Sequence, residues 1–366
     1  MLEPNTLFFQ GQIKSIEKWL KELPSDPYLS DVLSIIRAWR SGQTSFLLHT
    51  SGTTGTPKPV WAQREAIEAS IRLSTEKLVL QHGMTALLPL NVQFVGGFML
   101  LLRALTLNMG IYLQKPQQAI WKGLPSNFHA DFTAISPLQL HSVIEKGELD
   151  FLEQHRIVLI GGAPVSKHLL NAISDSKTAF FHTYGMTETL SHIAFKRLSS
   201  SQKQAHFETI SPEIRIWATK DKRLCIQSPT AYNGQIIETN DLVEIIDEQT
   251  FDFVGRADFV INTGGIKVSP EQIEAQLSHF LSGILKKEWA VSDLKSDLYG
   301  SIVVLVITEK LSPDVQKFIF DYSNSHLPRY HTPKQILELE ALPLTTFGKL
   351  QRQELRVQIN ERSQKY

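Results

Sequence analysis

From about residue 45 to residue 185 the sequence alternates short apolar runs with amphipathic ones. That alternation restricts the fold more than any other feature. SFLLHT (45–50), TALLPL (85–90), IYLQ (111–114), DFTAIS (131–136), RIVLIGG (156–162) and KTAFFHTY (177–184) read as strands. Between them, the run from Arg64 to Leu80, GGFMLLLRAL (96–105), PLQLHSVIE (137–145) and SKHLLNAI (166–173) read as helices, the last two opening on Pro or Ser as helix starts do. Strands buried on both faces and joined through helices form a largely parallel sheet.

Past residue 190 the pattern changes to short strands separated by turn residues: EIRIWAT, RLCIQS, GQIIET, LVEIID and FDFVG. This spacing reads as antiparallel hairpins or a small barrel appended to the α/β part. It changes again after Gly255. ADFVINTGG, a helix from Pro270 to about Phe280, a strand at 301–307, a helix from Ser312 to Ser325 and a strand QILEL make an α+β unit. The expected fold class is therefore α/β. A large N-terminal domain (1–255) combines a mainly parallel sheet with a small antiparallel β subdomain, and a small α+β domain (256–366) follows. Ahead of residue 45, EKWLKELPSDPYLSDVLSIIRAW reads as one or two helices.

Lysine plus arginine equals aspartate plus glutamate at 37 each, so net charge offers no reason to propose nucleic acid or an anionic membrane as partner. Arg103 interrupts the longest apolar stretch, which is too short for a bilayer span and reads as a buried helix. The N-terminus has no basic start followed by an apolar run, so no signal peptide is expected. Cys225, the single cysteine, excludes an internal disulfide framework and fits a reducing, cytoplasmic setting. Within RLCIQ it reads as a small buried apolar residue. Nothing in the sequence marks an oligomeric state.

The stretch HTSGTTGTPKPV (49–60) concentrates hydroxyls, glycines and one lysine, the composition of a phosphate-holding loop. It is not a Walker loop. Thr56 and Pro57 separate Gly55 from Lys58, and Pro59 stands where the Ser or Thr should be. Taken alone, the stretch fits either an anion cradle or a solvated turn. In the same way, Tyr184 followed by Thr187 and Glu188 offers an aromatic face, a hydroxyl and a carboxylate, which suit a base, a phosphate and a hard cation. Asp241 in a turn is either a ribose acceptor or structural.

Read in order, these segments resemble the motifs of the adenylate-forming superfamily: acyl-CoA synthetases, luciferases and peptide-synthetase adenylation domains. The similar segments are SGTTGTPK (51–58), GGAPVS (161–166), TYGMTETLSH (183–192), ETNDLVEI (238–245), VGRADFVINTGGIKVSPEQIE (254–274) and LPLTTFGKLQRQEL (342–355). The resemblance implies that Thr50, Ser51, Gly52, Thr53, Thr54, Gly55 and Lys58 hold ATP phosphates. It implies that Gly162, Ala163, Pro164, Tyr184 and Gly185 wall the adenine, and that Thr187 contacts the α-phosphate. Glu188 would hold Mg2+, Asp241 the ribose and Arg256 the ribose or phosphate. Lys349 would be the catalytic lysine, and Asp258 the hinge of a mobile C-terminal lid. Gly264 and Gly265 would enter the site when a thiol attacks. The implied reaction joins a carboxylic acid to CoA through an acyl-adenylate.

Within the superfamily, TYGMTETLSHIAF is similar to the branch acting on o-succinylbenzoate in menaquinone biosynthesis, with Thr189, Ser191 and His192 beside the acid. Another aryl- or acyl-CoA synthetase, a stand-alone adenylation enzyme and a non-catalytic nucleotide binder stay open. The sequence departs from the superfamily pattern in four places. Asn240 replaces a glycine, and its tolerance of left-handed backbone would preserve the turn. Phe259 replaces an acidic residue. LPLNVQFVGG (88–97) lacks the usual histidine, with Asn91 and Gln93 as polar substitutes. The phosphate loop also begins near residue 50, where relatives carry a larger subdomain ahead of it.

Overall fold

A computed structural model of the chain describes residues 2–49, 59–199, 203–231, 234–296, 299–345 and 350–363, with main chain alone at His49 and Ser363. A thirteen-stranded sheet runs through most of it. Its parallel half places Thr6–Phe9, Gly110–Leu113, Thr85–Leu88, Phe132–Ile135, Ile157–Ile160 and Ala179–Met186 side by side. Alternate residues serve opposite faces. Ala86, Leu88, Ile111, Leu113, Ile157 and Leu159 enter one core, while Leu87, Tyr112, Val158 and Ile160 enter the other. Both faces are dry, so the strands read as unbroken apolar runs rather than alternating ones.

The helices between these strands begin where their capping residues dictate. Ser136 accepts from the Gln139 N–H while the Gln139 side chain accepts from the Ser136 N–H, and Pro137 takes the first helical position of Pro137–Glu145. Ser166 caps Lys167–Ala172 and Ser269 caps Pro270–Ser282.

Three sequence expectations are corrected. Ser45–His49 is a strand but stands outside the main sheet, pairing antiparallel with Pro59–Gln63 from Ser45↔Gln63 to His49↔Pro59. Pro59 therefore opens a strand, and the helix starts only at Arg64. The antiparallel strands form no barrel. Ser191–Arg197, Phe207–Thr209, Thr250–Arg256, Ile237–Ile245, Arg223–Gln227 and Arg215–Ala218 extend the same sheet as an open array. GQIIET and LVEIID are largely one strand, Ile237–Ile245, with a register shift between Leu242 and Val243. The two helices expected ahead of residue 45 are Ile16–Leu20 and Pro27–Arg40, and before them Thr6–Phe9 and Gln12–Ser15 form a hairpin whose first strand joins the parallel edge.

A second, five-stranded sheet begins at Ile261, five residues after the last strand of the first sheet ends at Arg256. Its longest pair, Trp289–Ser296 with Gly300–Ile307, includes an edge strand that the sequence pattern did not reveal. Pro270–Ser282, Pro313–His326 and Arg352–Ser363 are its helices. Val303, Leu305 and Ile307 face one core and Val304 and Val306 the other. Cys225 is buried, as expected, and burial pushes its thiol pKa up. No helix among the described residues is long and apolar enough to cross a membrane.

Two adjacent glycines in the helix Val95–Thr106 have opposite surroundings. A Cβ on Gly97 would lie 2.3 Å from the Asn91 carbonyl oxygen, whereas one on Gly96 would meet only Leu90 at 3.6 Å. Gly97→Ala is expected to cost about 1–3 kcal/mol because backbone must shift to relieve the clash. Gly96→Ala is expected to be neutral or to gain up to about 1 kcal/mol of helix propensity. Urea denaturation midpoints check the pair, and shifts of the same sign and size would refute the close-approach account.

Candidate active site

The carboxyl ends of the adjacent parallel strands Ile157–Ile160 and Ala179–Met186 bring two of the expected segments together. A crevice beyond strand ends is where an open α/β sheet accepts ligands. At the first end, Gly161 runs so close to its neighbour that a Cβ there would lie 2.4 Å from Thr183 Oγ1, and Gly162 turns with φ +89°. Ala163 and Pro164 follow on this turn. The His182 ring holds it, with Nε2 at 3.3 Å from the Ala163 carbonyl oxygen. Burial lowers the His182 pKa to about 4, so at neutral pH the ring is uncharged and Nε2–H donates.

At the second end, Gly185 is required by close approach. A Cβ would lie 2.0 Å from the Ser191 carbonyl oxygen and 2.5 Å from His192 Cα. The chain then makes one short helical turn, Thr187–Thr189, and doubles back through Leu190 (φ 49°) and Ser191 (φ 91°). Two consecutive non-glycine residues in that region store strain. Thr189 is fully buried and stabilises the turn. Its hydroxyl accepts from the Met186 N–H at 3.1 Å and donates to the Ser191 carbonyl at 2.8 Å. Thr187 is buried, and Glu188 projects to solvent. Among the described residues no group of three or more His, Cys, Asp or Glu could cage a metal.

Tyr184, Asp241, Arg256 and Asp258 form one hydrogen-bonded chain. Tyr184 packs edge-on to Phe251 with centroids 5.1 Å apart, and its hydroxyl donates to Asp241 Oδ2 at 2.5 Å. Burial, then the Asp241 charge, pushes the tyrosine pKa well above its ordinary value. Arg256, opposite Asp241 in strand register, donates to Asp241 Oδ1 at 3.2 Å and to Asp258 Oδ2 at 2.7 Å. Burial opposes the Arg256 charge, but the Asp258 bond and the Asp241 charge outweigh it, raising the pKa. Asn240 does not occupy the left-handed turn expected of it. It lies within the strand, and its Oδ1 accepts from Arg223 Nη1 at 2.7 Å. Asn91 and Gln93 are likewise occupied: Asn91 Oδ1 accepts from the Gln93 N–H, and Gln93 Nε2 donates to Asp31.

Behind the 187–192 turn lies a polar group that the motifs did not identify. Arg103 is buried within the helix Val95–Thr106, and no carboxylate among the described residues pairs with it. Its Nε donates to Ser74 Oγ at 2.8 Å, and its Nη2 has no partner. Burial lowers its pKa to about 10, which leaves it charged at neutral pH. Ser70, one turn before Ser74, donates to the Leu190 carbonyl at 2.9 Å and so links this helix pair to the strained turn. His192 is also buried. Ser191 Oγ lies 3.2 Å from its Nδ1, its Nε2 is unpaired, and burial with the Arg103 charge lowers its pKa well below 6.5. The break that Arg103 makes in an apolar run was the available sequence signal.

Gly264 and Gly265 turn the hairpin of Ile261–Thr263 and Ile266–Val268 with φ +58° and +82°, against Tyr299 and Tyr330. Thr50, Ser51, Gly52, Thr53, Thr54, Gly55, Lys58 and Lys349 lie outside the described residues.

The family model described as "AMP-binding enzyme" matches residues 13–220. The 2-succinylbenzoate--CoA ligase of Listeria monocytogenes is 26% identical over 349 residues, covering 88% of this chain and 72% of its own. The enzyme of that name from Bacillus cereus is 27% identical over 343 residues, covering 86% and 70%. Among solved structures, the acyl-CoA synthetase (AMP-forming)/AMP-acid ligase II-like protein of Dyadobacter fermentans is 31% identical with TM-score 0.62, covering 93% of this chain and 96% of its own. The o-succinylbenzoate CoA synthetase of Bacillus subtilis, in complex with its acyl-adenylate intermediate, is 23% identical with TM-score 0.70, covering 84% and 68%. The same enzyme has been solved with ATP and magnesium.

Two buried histidines, His155 and His192, and the half-buried His182 imply acid lability. The His155 and His182 pKa values are lowered from 6.5 to about 4 and that of His192 well below 6.5, each first by burial. A lowered folded-state pKa means that the unfolded chain binds protons first, so stability is full above about pH 6.5 and declines as pH falls toward 4. Denaturation midpoints measured from pH 8 to pH 4.5 should follow that course, and His192→Gln should shallow the slope. A flat profile would contradict the neutral, buried assignment.

Proposed function

The chain belongs to the AMP-binding enzyme family, and from that premise we propose that it is an AMP-forming acid–CoA ligase. Its acid carries a second carboxylate, of the o-succinylbenzoate kind. In the first half-reaction the carboxylate oxygen of the acid attacks the α-phosphorus of ATP, and the bond to pyrophosphate breaks. In the second, the thiol sulfur of CoA attacks the acyl carbon and AMP leaves. The reading needs no side-chain nucleophile. It needs positive charge where two anions meet, which Lys349 supplies at the reacting centre, while Lys58 and the N–H groups of residues 50–55 hold the leaving pyrophosphate.

The Tyr184–Asp241–Arg256 chain supports nucleotide binding at the strand ends. Asp241, held by Tyr184 and Arg256, is the carboxylate that would accept the ribose hydroxyls. Tyr184 and the turn at Gly162–Pro164 wall the adenine. The donor chemistry fits magnesium, since a single exposed carboxylate, Glu188, suits an ion otherwise coordinated by phosphates and water. When bound, that ion neutralises phosphate charge. Residues 1–255 act as the core and 256–366 as a lid that turns about Asp258, presenting Lys349 first and the Gly264–Gly265 loop second.

Arg103 is the observation that carries the choice of acid. A charged guanidinium with a spare donor, buried behind Thr187–His192 without a carboxylate, is costly unless something anionic arrives. A second substrate carboxylate would pair with Nη2, and His192 Nε2 is the nearby orphan able to share it. The relatives named as 2-succinylbenzoate--CoA ligases point the same way.

Acid-dependent ATP–pyrophosphate exchange over a panel of benzoate, o-succinylbenzoate and fatty acids, with the thioester detected by mass, tests the assignment. Preference for o-succinylbenzoate is expected; equal rates with benzoate would remove the acid assignment and leave the ligase. Arg103→Met should leave stability unchanged or higher, because it removes an unpaired buried charge. It should also raise the KM for the dicarboxylic acid roughly tenfold to a hundredfold with the KM for ATP unchanged. A destabilised variant with an unchanged acid KM would make Arg103 a purely structural residue.

A further inference from the structure

The described residues on either side of Thr346–Lys349 are tied together twice. Leu344 and Leu350 form an antiparallel bridge, and the Gln351 N–H donates to the Pro343 carbonyl at 2.8 Å. Arg352 then anchors the segment to the helix Pro270–Ser282. Its Nη2 and Nη1 reach the two oxygens of Glu274 at 2.5 and 3.1 Å, and its Nε lies 3.2 Å from Glu271 Oε1. The guanidinium is nearly buried, at 13% side-chain exposure, and also donates to the Val291 carbonyl at 3.2 Å. Both carboxylates have second donors. The Val291 N–H donates to Glu274 at 2.8 Å, and Ser269 Oγ donates to Glu271 at 2.8 Å.

The anchor continues toward the proposed pivot. Ser269 Oγ lies 3.1 Å from the Val254 carbonyl, and Gly255 passes so close that a Cβ there would sit 2.2 Å from that hydroxyl. Phe259, where the superfamily pattern has an acidic residue, is buried between two guanidiniums, Arg256 at 5.8 Å and Arg352 at 5.9 Å from its ring centroid. An acidic side chain would compete for those cations, whereas an aromatic ring attracts both without taking a hydrogen bond from Glu271, Glu274 or Asp241.

We infer that Arg352 is a positioning residue for the acid-activating half-reaction, fixing the segment that carries Lys349 to the helix Pro270–Ser282 and to the pivot. The inference rests on the role of Lys349 proposed above. The anchor stands three residues from Lys349 in sequence, and a displacement of about 1 Å at a reacting group can cost a hundredfold in rate. The thiol step, which on this reading uses the Gly264–Gly265 loop, does not depend on the anchor in that way.

Two full-length variants test it: Arg352→Lys, which keeps the charge but not the bidentate fork, and Arg352→Met with Glu274→Gln, which avoids stranding a buried carboxylate. Each is assayed for ATP–pyrophosphate exchange with the best acid of the panel and for thioester formation from synthetic acyl-adenylate plus CoA. Exchange should fall roughly tenfold to a hundredfold while thioester formation stays within about twofold, and the Lys variant should retain more exchange than the double variant. Equal losses in both half-reactions, or no loss, would overturn the inference. Lys349→Ala, assayed in parallel, separates the two ideas. If it loses exchange selectively and the Arg352 variants do not, only the positioning role fails. If it does not, the reading of Lys349 fails with it.

Discussion

Asp241 is the residue on which three parts of the molecule converge. One of its oxygens takes the hydroxyl of Tyr184, from the last parallel strand, and the other takes Arg256, from the last antiparallel one. Arg256 in turn grips Asp258, in the short link to the second sheet. A buried carboxylate is tolerated only when donors surround it. Here those donors come from the two halves of the large sheet and from the crossing between sheets. Placing this one charge thus aligns the elements on which the proposed nucleotide site is built.

The alternation of residues 45–185 was enough to place five parallel strands, because the first four are buried on both faces and mostly apolar, and the fifth, Ala179–Met186, begins on an apolar run. It failed for Ser45–His49, whose composition is that of a buried strand but whose partner is a hairpin neighbour in a separate two-stranded sheet. Local sequence records burial better than it records pairing. Asn240 illustrates a different error. The left-handed turn was inferred from the glycine it replaces, yet the strand continues through it with a bulge nearby and the amide oxygen finds Arg223. The motif residues of the candidate site were legible as residue types in order. Arg103, Arg352 and His182 were not legible as site residues, because what matters about each is its set of contacts, drawn from positions distant in sequence.

Two buried arginines show how differently the fold treats the same charge. Arg352 is satisfied by two carboxylates and a carbonyl, and each carboxylate is itself supplied with a further donor. Arg103 has a serine and an idle nitrogen, beside a histidine with an idle nitrogen of its own. The first arrangement is complete within the chain. The second is chemically unfinished, and the proposed acid would complete it.

Ser191 carries a cost of its own. A serine at φ 91° sits where glycine would rest freely, a penalty on the order of 1–3 kcal/mol. Its hydroxyl meets Nδ1 of a buried histidine, and glycine would forfeit that contact. A search for stabilising substitutions would rank Ser191→Gly highly on backbone grounds alone. The same change would free the ring of His192 to choose its tautomer, so a position where the fold has stability to regain is also one where regaining it would blur the hydrogen-bond polarity around that ring.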